Sequence, residues 1–266
     1  MSVDSLHGWR EFRDTRAWFQ YAMGGIAGLG IVGVYYLFKQ SGQGGPAYLT
    51  AAGAAIVATL VVLAVVYFVF GKPVLLRPTA EGVQRICGDR EQSVSFDQLT
   101  AFRAKWTDIH RNGVYQYTEV RFALSSGNRS APDILYDATA SYQTVKFEQL
   151  QAFQADMAAV VAERLADELE RNGRVEWTEK LALRRDGIEL TRKAGGAPEV
   201  VGFERVSQWK VDEGVFKLGI DDGRRPALVE EASQWNFYPG LLLFSRLCDS
   251  PGSQSVVGDE AHVVVG

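Results

Sequence analysis

Two long stretches without a single charged side chain, residues 17–38 and 40–71, constrain this chain of 266 residues more than any other feature. A helix crosses the hydrocarbon core of a bilayer in about twenty residues at 1.5 Å each. The segments 19–38 and 48–70 have that length. Trp18, Phe19 and Tyr21 stand at one end of the first, Tyr35 and Tyr36 near the other, and Tyr48 and Tyr67 bracket the second. Rings placed so suit the headgroup level. The connector 40–47 carries Gly42, Gly44, Gly45 and Pro46, residues that reverse a chain tightly. The spacing predicts a transmembrane hairpin over 19–70.

Basic flanks stay on the cytoplasmic side of a membrane. Arg10, Arg13 and Arg16 precede the first stretch and Lys72, Arg77, Arg85 and Arg90 follow the second, against Lys39 alone in the connector. A multi-pass protein of the cell inner membrane with both termini cytoplasmic is expected, residues 1–18 forming a juxtamembrane segment. A cleaved signal peptide is the rival, but Tyr36-Leu37-Phe38-Lys39 offers no small-x-small site. Gly28, Gly30 and Gly33 match GxGxxG, yet no acid lies between Asp14 and Glu81, so the context of a dinucleotide-binding turn is missing. Glycines in such a stretch let helices approach. Gly24 and Gly28 on the first helix, with Ala51 and Ala55 on the second, are the expected helix-packing residues.

From residue 73 on, 23 Lys and Arg face 29 Asp and Glu, and the whole chain has a pI near 5.5. That balance excludes a basic nucleic-acid binder. The pattern here is short apolar runs broken by turns. Asn112-Gly113 between two such runs is a strong hairpin signal. From Val145, the residues Phe147, Leu150, Phe153, Met157, Val160, Val161, Leu165 and Leu169 recur at helical spacing, and Asn172-Gly173 supplies a stop. A second strand series follows. SVSFDQLTAF at 93–102 aligns with VVGFERVSQW at 200–209, setting Phe102 over Trp209, and Glu81-Gly82-Val83 aligns with Asp186-Gly187-Ile188. Asn236 is placed to cap a short helix that corresponds to the long one. Tandem domains over 73–172 and 174–248, with a flexible tail over 249–266, are the simplest account.

The strand-end motif, Val94-Ser95-Phe96-Asp97-Gln98-Leu99 and again Val201-Gly202-Phe203-Glu204-Arg205-Val206, follows an apolar hairpin and precedes a closing helix. In this the chain resembles uncharacterised bacterial membrane proteins bearing pleckstrin-homology-like (PH-like) domains. The resemblance implies an α+β fold: a two-helix transmembrane hairpin, then two tandem PH-like antiparallel sheet domains, each closed by a C-terminal helix. It does not imply phosphoinositide binding, because Glu81, Asp89 and Glu91 mix with Arg77, Arg85 and Arg90 around the first hairpin.

Catalysis needs convergent titratable groups, and the histidines are only His7, His110 and His262. None is spaced for a metal, and Cys87 and Cys248 form no CxxC pair. Asp108 and His110 are the one acid and base close in sequence. A hydrolase built on them ranks last, since no nucleophile motif accompanies the pair. No catalytic residue, cofactor or metal is expected. Trp106, Tyr115, Tyr117, Tyr142, Trp177, Trp209, Phe216, Trp235 and Tyr238 are read mainly as core, any exposed ring being an anchor for a peptide. The expected function is a membrane-anchored, non-enzymatic scaffold binding a protein partner or itself, with the bilayer held through the hairpin. The alternative is an oligomeric channel or transporter accessory subunit assembled through that hairpin.

Overall fold

A computed structural model describes residues 12–14, most of 24–39, 47–70 and 74–248 apart from 192–195, 222 and 224. The tail 249–266 and most of the segment 1–18 lie outside the described residues. The elements in chain order are β1 (Phe12–Asp14), α1 (Ala47–Phe70), β2 (Val74–Pro78), β3 (Gly82–Cys87), β4 (Arg90–Ser95), β5 (Ala101–Arg111), β6 (Val114–Ser125), β7 (Ile134–Ala140) and α2 (Val145–Asn172). Then come β8 (Arg174–Glu176), β9 (Leu181–Arg184), β10 (Gly187–Leu190), β11 (Glu199–Gly202), β12 (Val206–Asp212), β13 (Val215–Ile220), β14 (Leu228–Glu231) and α3 (Phe237–Cys248).

These strands form four small antiparallel sheets, ordered β1-β2-β3-β4, β5-β6-β7, β11-β10-β9-β8 and β12-β13-β14. The expected fold class is corrected accordingly. The described chain is mostly sheet, and among the described residues no helix is long and apolar enough to cross a membrane. The transmembrane hairpin, the multi-pass membrane placement and the cytoplasmic orientation drawn from it are not supported.

The chain divides into two compact units. One takes in residues 10–77 and 85–91. In it β1 pairs with β2 from Phe12↔Leu76 to Asp14↔Val74. Val57, Leu60, Val61 and Val65 of α1 stand exposed. A Cβ on Gly30 would lie 2.6 Å from Thr59 Cγ2, so a close approach falls at Gly30.

The other unit takes in 78–84 and the chain from Gln92 on, and its two halves repeat one plan: strands, a three-stranded sheet, a helix. Gly82 and Gly187 open equivalent strands. A Cβ on Gly82 would run into the Val94 carbonyl oxygen, and one on Gly187 into that of Val201. Left-handed residues repeat as well. Asn112 and Gly113 (φ 54° and 76°) turn β5 into β6, and Glu213 and Gly214 (φ 50° and 73°) turn β12 into β13. Gln143 (φ 62°) and Asn236 (φ 58°) mark the entries of α2 and α3.

Each helix covers its own sheet. Helix α2 starts where the Thr144 hydroxyl accepts the Phe147 N–H and stops at Gly173, whose left-handed backbone (φ 71°) returns its N–H to the Leu169 carbonyl. Its buried stripe runs from Phe147 through Leu150, Phe153, Met157 and Val161 to Leu165 and Leu169. Phe153 of this stripe meets Phe122 at 5.1 Å between ring centres, and Phe102, Phe122, Leu124, Ile134 and Tyr136 of the sheet are fully buried. The second half is centred on Trp177, within 5.5–5.9 Å of Phe216, Phe237 and Phe244. Its indole N–H donates to the Phe237 carbonyl at 2.8 Å.

Because carbonyl oxygens of a paired strand cannot step aside as a flexible side chain can, Gly82→Ala and Gly187→Ala should each destabilise the fold by about 1–3 kcal/mol. Gly24→Ala and Gly28→Ala, where a Cβ meets nothing within 4 Å, should leave the denaturant midpoint unchanged.

Candidate functional site

The two halves are joined where α2 packs on α3 and the entry of α3 meets β5. Asn236 makes a reciprocal bridge there. Its backbone N–H donates to the Phe102 carbonyl at 2.8 Å, and its side-chain oxygen accepts the Phe102 N–H at 3.0 Å. The residue is 1% exposed, so both bonds are shielded from water. Its own carbonyl still accepts the Gly240 N–H at 2.9 Å. The expected helix cap is therefore also a strand-edge partner, and its side chain serves the edge. Beside it, the Arg103 guanidinium lies 5.1 Å from the Trp235 ring centre, and in the last turn of α3 Arg246 pairs with Glu163 of α2 at 2.6 Å. A cleft of about 520 Å³ opens beside the join, lined among others by Arg129, Glu168, Asn172 and Arg174. Arg174 is held by Glu189 at 3.0 Å, which draws that carboxyl below its ordinary range.

At the far end of β5-β6-β7 an aromatic cluster surrounds Asp108. The Tyr142 N–H donates to the Tyr115 hydroxyl, Tyr115 to Thr118 at 2.9 Å, and Thr118 to Asp108 at 2.7 Å. The Tyr142 hydroxyl closes the ring by donating to the same carboxylate. Tyr115 and Tyr142 stack at 4.4 Å, and Phe147 meets Tyr142 edge-on. Burial and the bond to Asp108 push the Tyr142 phenol up to about 12. His110 does not join this ring. Gln116 of β6 is the unpaired residue of a bulge between the pairs Ile109↔Tyr117 and His110↔Tyr115, and the His110 imidazole packs edge-on against Tyr115 at 5.8 Å. The arrangement holds two tyrosines in place around a charge and presents Tyr142, 41% exposed, at the surface with Val145, 67% exposed.

A second carboxyl is buried in the other half. Glu230 on β14 is 3% exposed and accepts from the Thr178 hydroxyl at 2.9 Å and from Gln234 at 2.7 Å. Burial raises its pKa, outweighing those donors, while Lys180 lowers it and Glu179 raises it.

The helix-packing residues named from sequence are Gly24, Gly28, Ala51 and Ala55. Gly24 and Gly28 are exposed. The side chains of Ala51 and Ala55 lie outside the described residues. Among the described residues, no three His, Cys, Asp or Glu side chains gather closely enough to hold a metal ion. Of the aromatics, Trp177 and Phe216 are buried, whereas Trp106, Tyr115, Trp209 and Trp235 are half-buried. Asn236 as the link between halves and the buried Glu230 were not anticipated. The Trp-Asn pair before an apolar run is the only signal the chain carries for the first, and it reads equally well as an ordinary cap. No family model, no curated protein and no solved structure matches this chain.

Asp108→Ala should move the Tyr142 titration down from about 12 without reaching the ordinary phenol range, because the burial remains. Ultraviolet difference titration against Tyr142→Phe reads this directly. For Glu230 the folded pKa lies above the unfolded one, so its stabilising contribution is complete below pH 4.5 and is lost as pH rises through the folded value. Glu230→Gln should therefore gain stability relative to the natural chain between pH 4 and pH 7, measured as the difference in Tm at the two values.

Proposed function

We propose that this chain is a non-enzymatic binding scaffold, its doubled sheet-and-helix body presenting sheet edges and the Tyr142 corner to a protein partner. The join between the halves carries this reading. There, one corner recognises one strand edge through main-chain and amide bonds, with an aromatic ring on a cation at the rim. Strand edges are read by proteins in the same terms. The Tyr142 corner supports it further. The ring is held by Tyr115 and Asp108 while remaining exposed, so little rotamer freedom is lost when a partner covers it. Neighbouring Val145 adds exposed apolar surface with no role in the core.

A photo-crosslinking residue in place of Tyr142 or Val145, in the full chain in intact cells, should give discrete crosslinked species. The same residue at Ser126, on the turn after β6, should not. Equal crosslinking from all three positions, or none from any, overturns the scaffold reading.

A further inference from the structure

The outer edge of β5 is closed at Phe102 by Asn236, and the same edge in the second half is open. Phe102 stands opposite Leu124, and Trp209 stands opposite Leu218, each on the edge strand of its three-stranded sheet. Parity shows where the Trp209 backbone points. The two-residue turn Glu213-Gly214 makes Asp212↔Val215 the hydrogen-bonded closing pair. Pairs alternate along the ladder, so Val211↔Phe216 and Trp209↔Leu218 are non-bonded pairs. Their edge-strand N–H and C=O groups face outward, as those of Phe102 do. Among the described residues, nothing pairs with this edge of β12. An open edge is a template for another chain.

The side chains that made the internal join recur at the open positions. Phe102-Arg103 on the closed edge corresponds to Trp209-Lys210 on the open one. Trp235-Asn236, the corner that closes the first edge, corresponds to Tyr142-Gln143 at the entry of α2. Each is an aromatic residue followed by a primary amide in the left-handed conformation. Asn236 is spent within the chain. Gln143 and Tyr142 are exposed, and so is Lys210, whose ammonium lies 3.4 Å from the Asp212 carboxylate in an exposed pair. Such a pair is worth little and opposes little.

We propose that the Tyr142-Gln143 corner of one copy docks on the outer edge of β12 in a second copy of this chain, repeating between molecules the contact that joins the two halves within one. The Gln143 amide oxygen accepts the Trp209 N–H, and the Tyr142 ring meets the Lys210 ammonium. This partner assignment rests on the scaffold reading above. The contact is heterologous: each copy keeps one free corner and one free edge, so association continues as an open array or closes as a ring.

The test uses the purified full chain with Cys87→Ser and Cys248→Ser, in mild detergent to cover the exposed apolar side chains of α1. Chains carrying Gln143→Cys and chains carrying Lys210→Cys are mixed and oxidised. A disulfide between the two kinds of chain, well above that from Ser126→Cys mixed with Lys210→Cys, is the expected result. In the chain without added cysteines, Lys210→Glu should weaken self-association about tenfold by sedimentation while circular dichroism stays unchanged. A monomer at every concentration, or assembly with no preference for the Gln143 and Lys210 pairing, overturns the proposal. Crosslinks from Tyr142 to other proteins in cells, without this copy-to-copy bond, would overturn it and leave the scaffold reading standing.

Discussion

A sheet edge buried against another element must have its backbone groups paired, and in this protein one residue meets that demand. Asn236 offers its main-chain N–H and its side-chain oxygen to the same residue, Phe102. It can do so because its left-handed backbone (φ 58°) turns the chain at the entry of α3 and aims both groups the same way. Asparagine tolerates that conformation better than most residues. Replacing it with an apolar residue would leave the Phe102 amide buried and unpaired, a cost of about 1–3 kcal/mol. The packing of α3 on α2 begins from this bridge, and the ion pair between Arg246 and Glu163 ties the other end of α3 to α2. The rim contacts are exposed and add little energy, yet they restrict the approach of one half to the other.

The two halves answer the same problem with different material. The first covers its sheet with a helix running from Val145 to Asn172, long enough to lay an aliphatic and aromatic stripe along the whole face. The second has only Phe237–Cys248 for a lid and compensates with rings: Trp177, Phe203, Phe216, Phe237 and Phe244 fill the space. Gly240 belongs to this solution. It lies so close to the Trp177 indole that even a methyl group could not be placed between them. A large ring beneath a short helix requires a residue without a side chain above it.

How much of this was legible in the sequence depends on the range of the interaction that decided each feature. The helical stripe from Phe147 to Leu169, its Gly173 stop and the Asn112-Gly113 turn are local, and the residues themselves announce them. The kinship of Gly82 with Gly187 was visible because the same close approach demands the same missing side chain twice. The Glu213-Gly214 turn was obscure because glutamate seldom adopts a positive φ. The partner of Asn236 lies 134 residues away, and no spacing rule reaches so far. Asp108 and His110 are close in sequence, but the bonds to Asp108 come from Thr118 and Tyr142, 10 and 34 residues away, which that closeness does not show. The apolar stretches read as spans from their length, lack of charge and aromatic ends; residues 47–70 do form a helix, but among the described residues no helix is long and apolar enough to cross a membrane.

The same doubling bears on the segment between β1 and β2. In the second half β8 passes to β9 through residues 177–180 and the two strands pair directly, Val175 opposite Leu183. In the first, β1 and β2 are paired in the same manner, with Asp14 opposite Val74, although residues 15–73 intervene. The two ends of that excursion thus leave and re-enter the sheet one strand spacing apart, about 5 Å. Seen this way, the apolar segment is an insertion into a β-turn. It closes on itself topologically, so its gain or loss need not alter the path of any other strand.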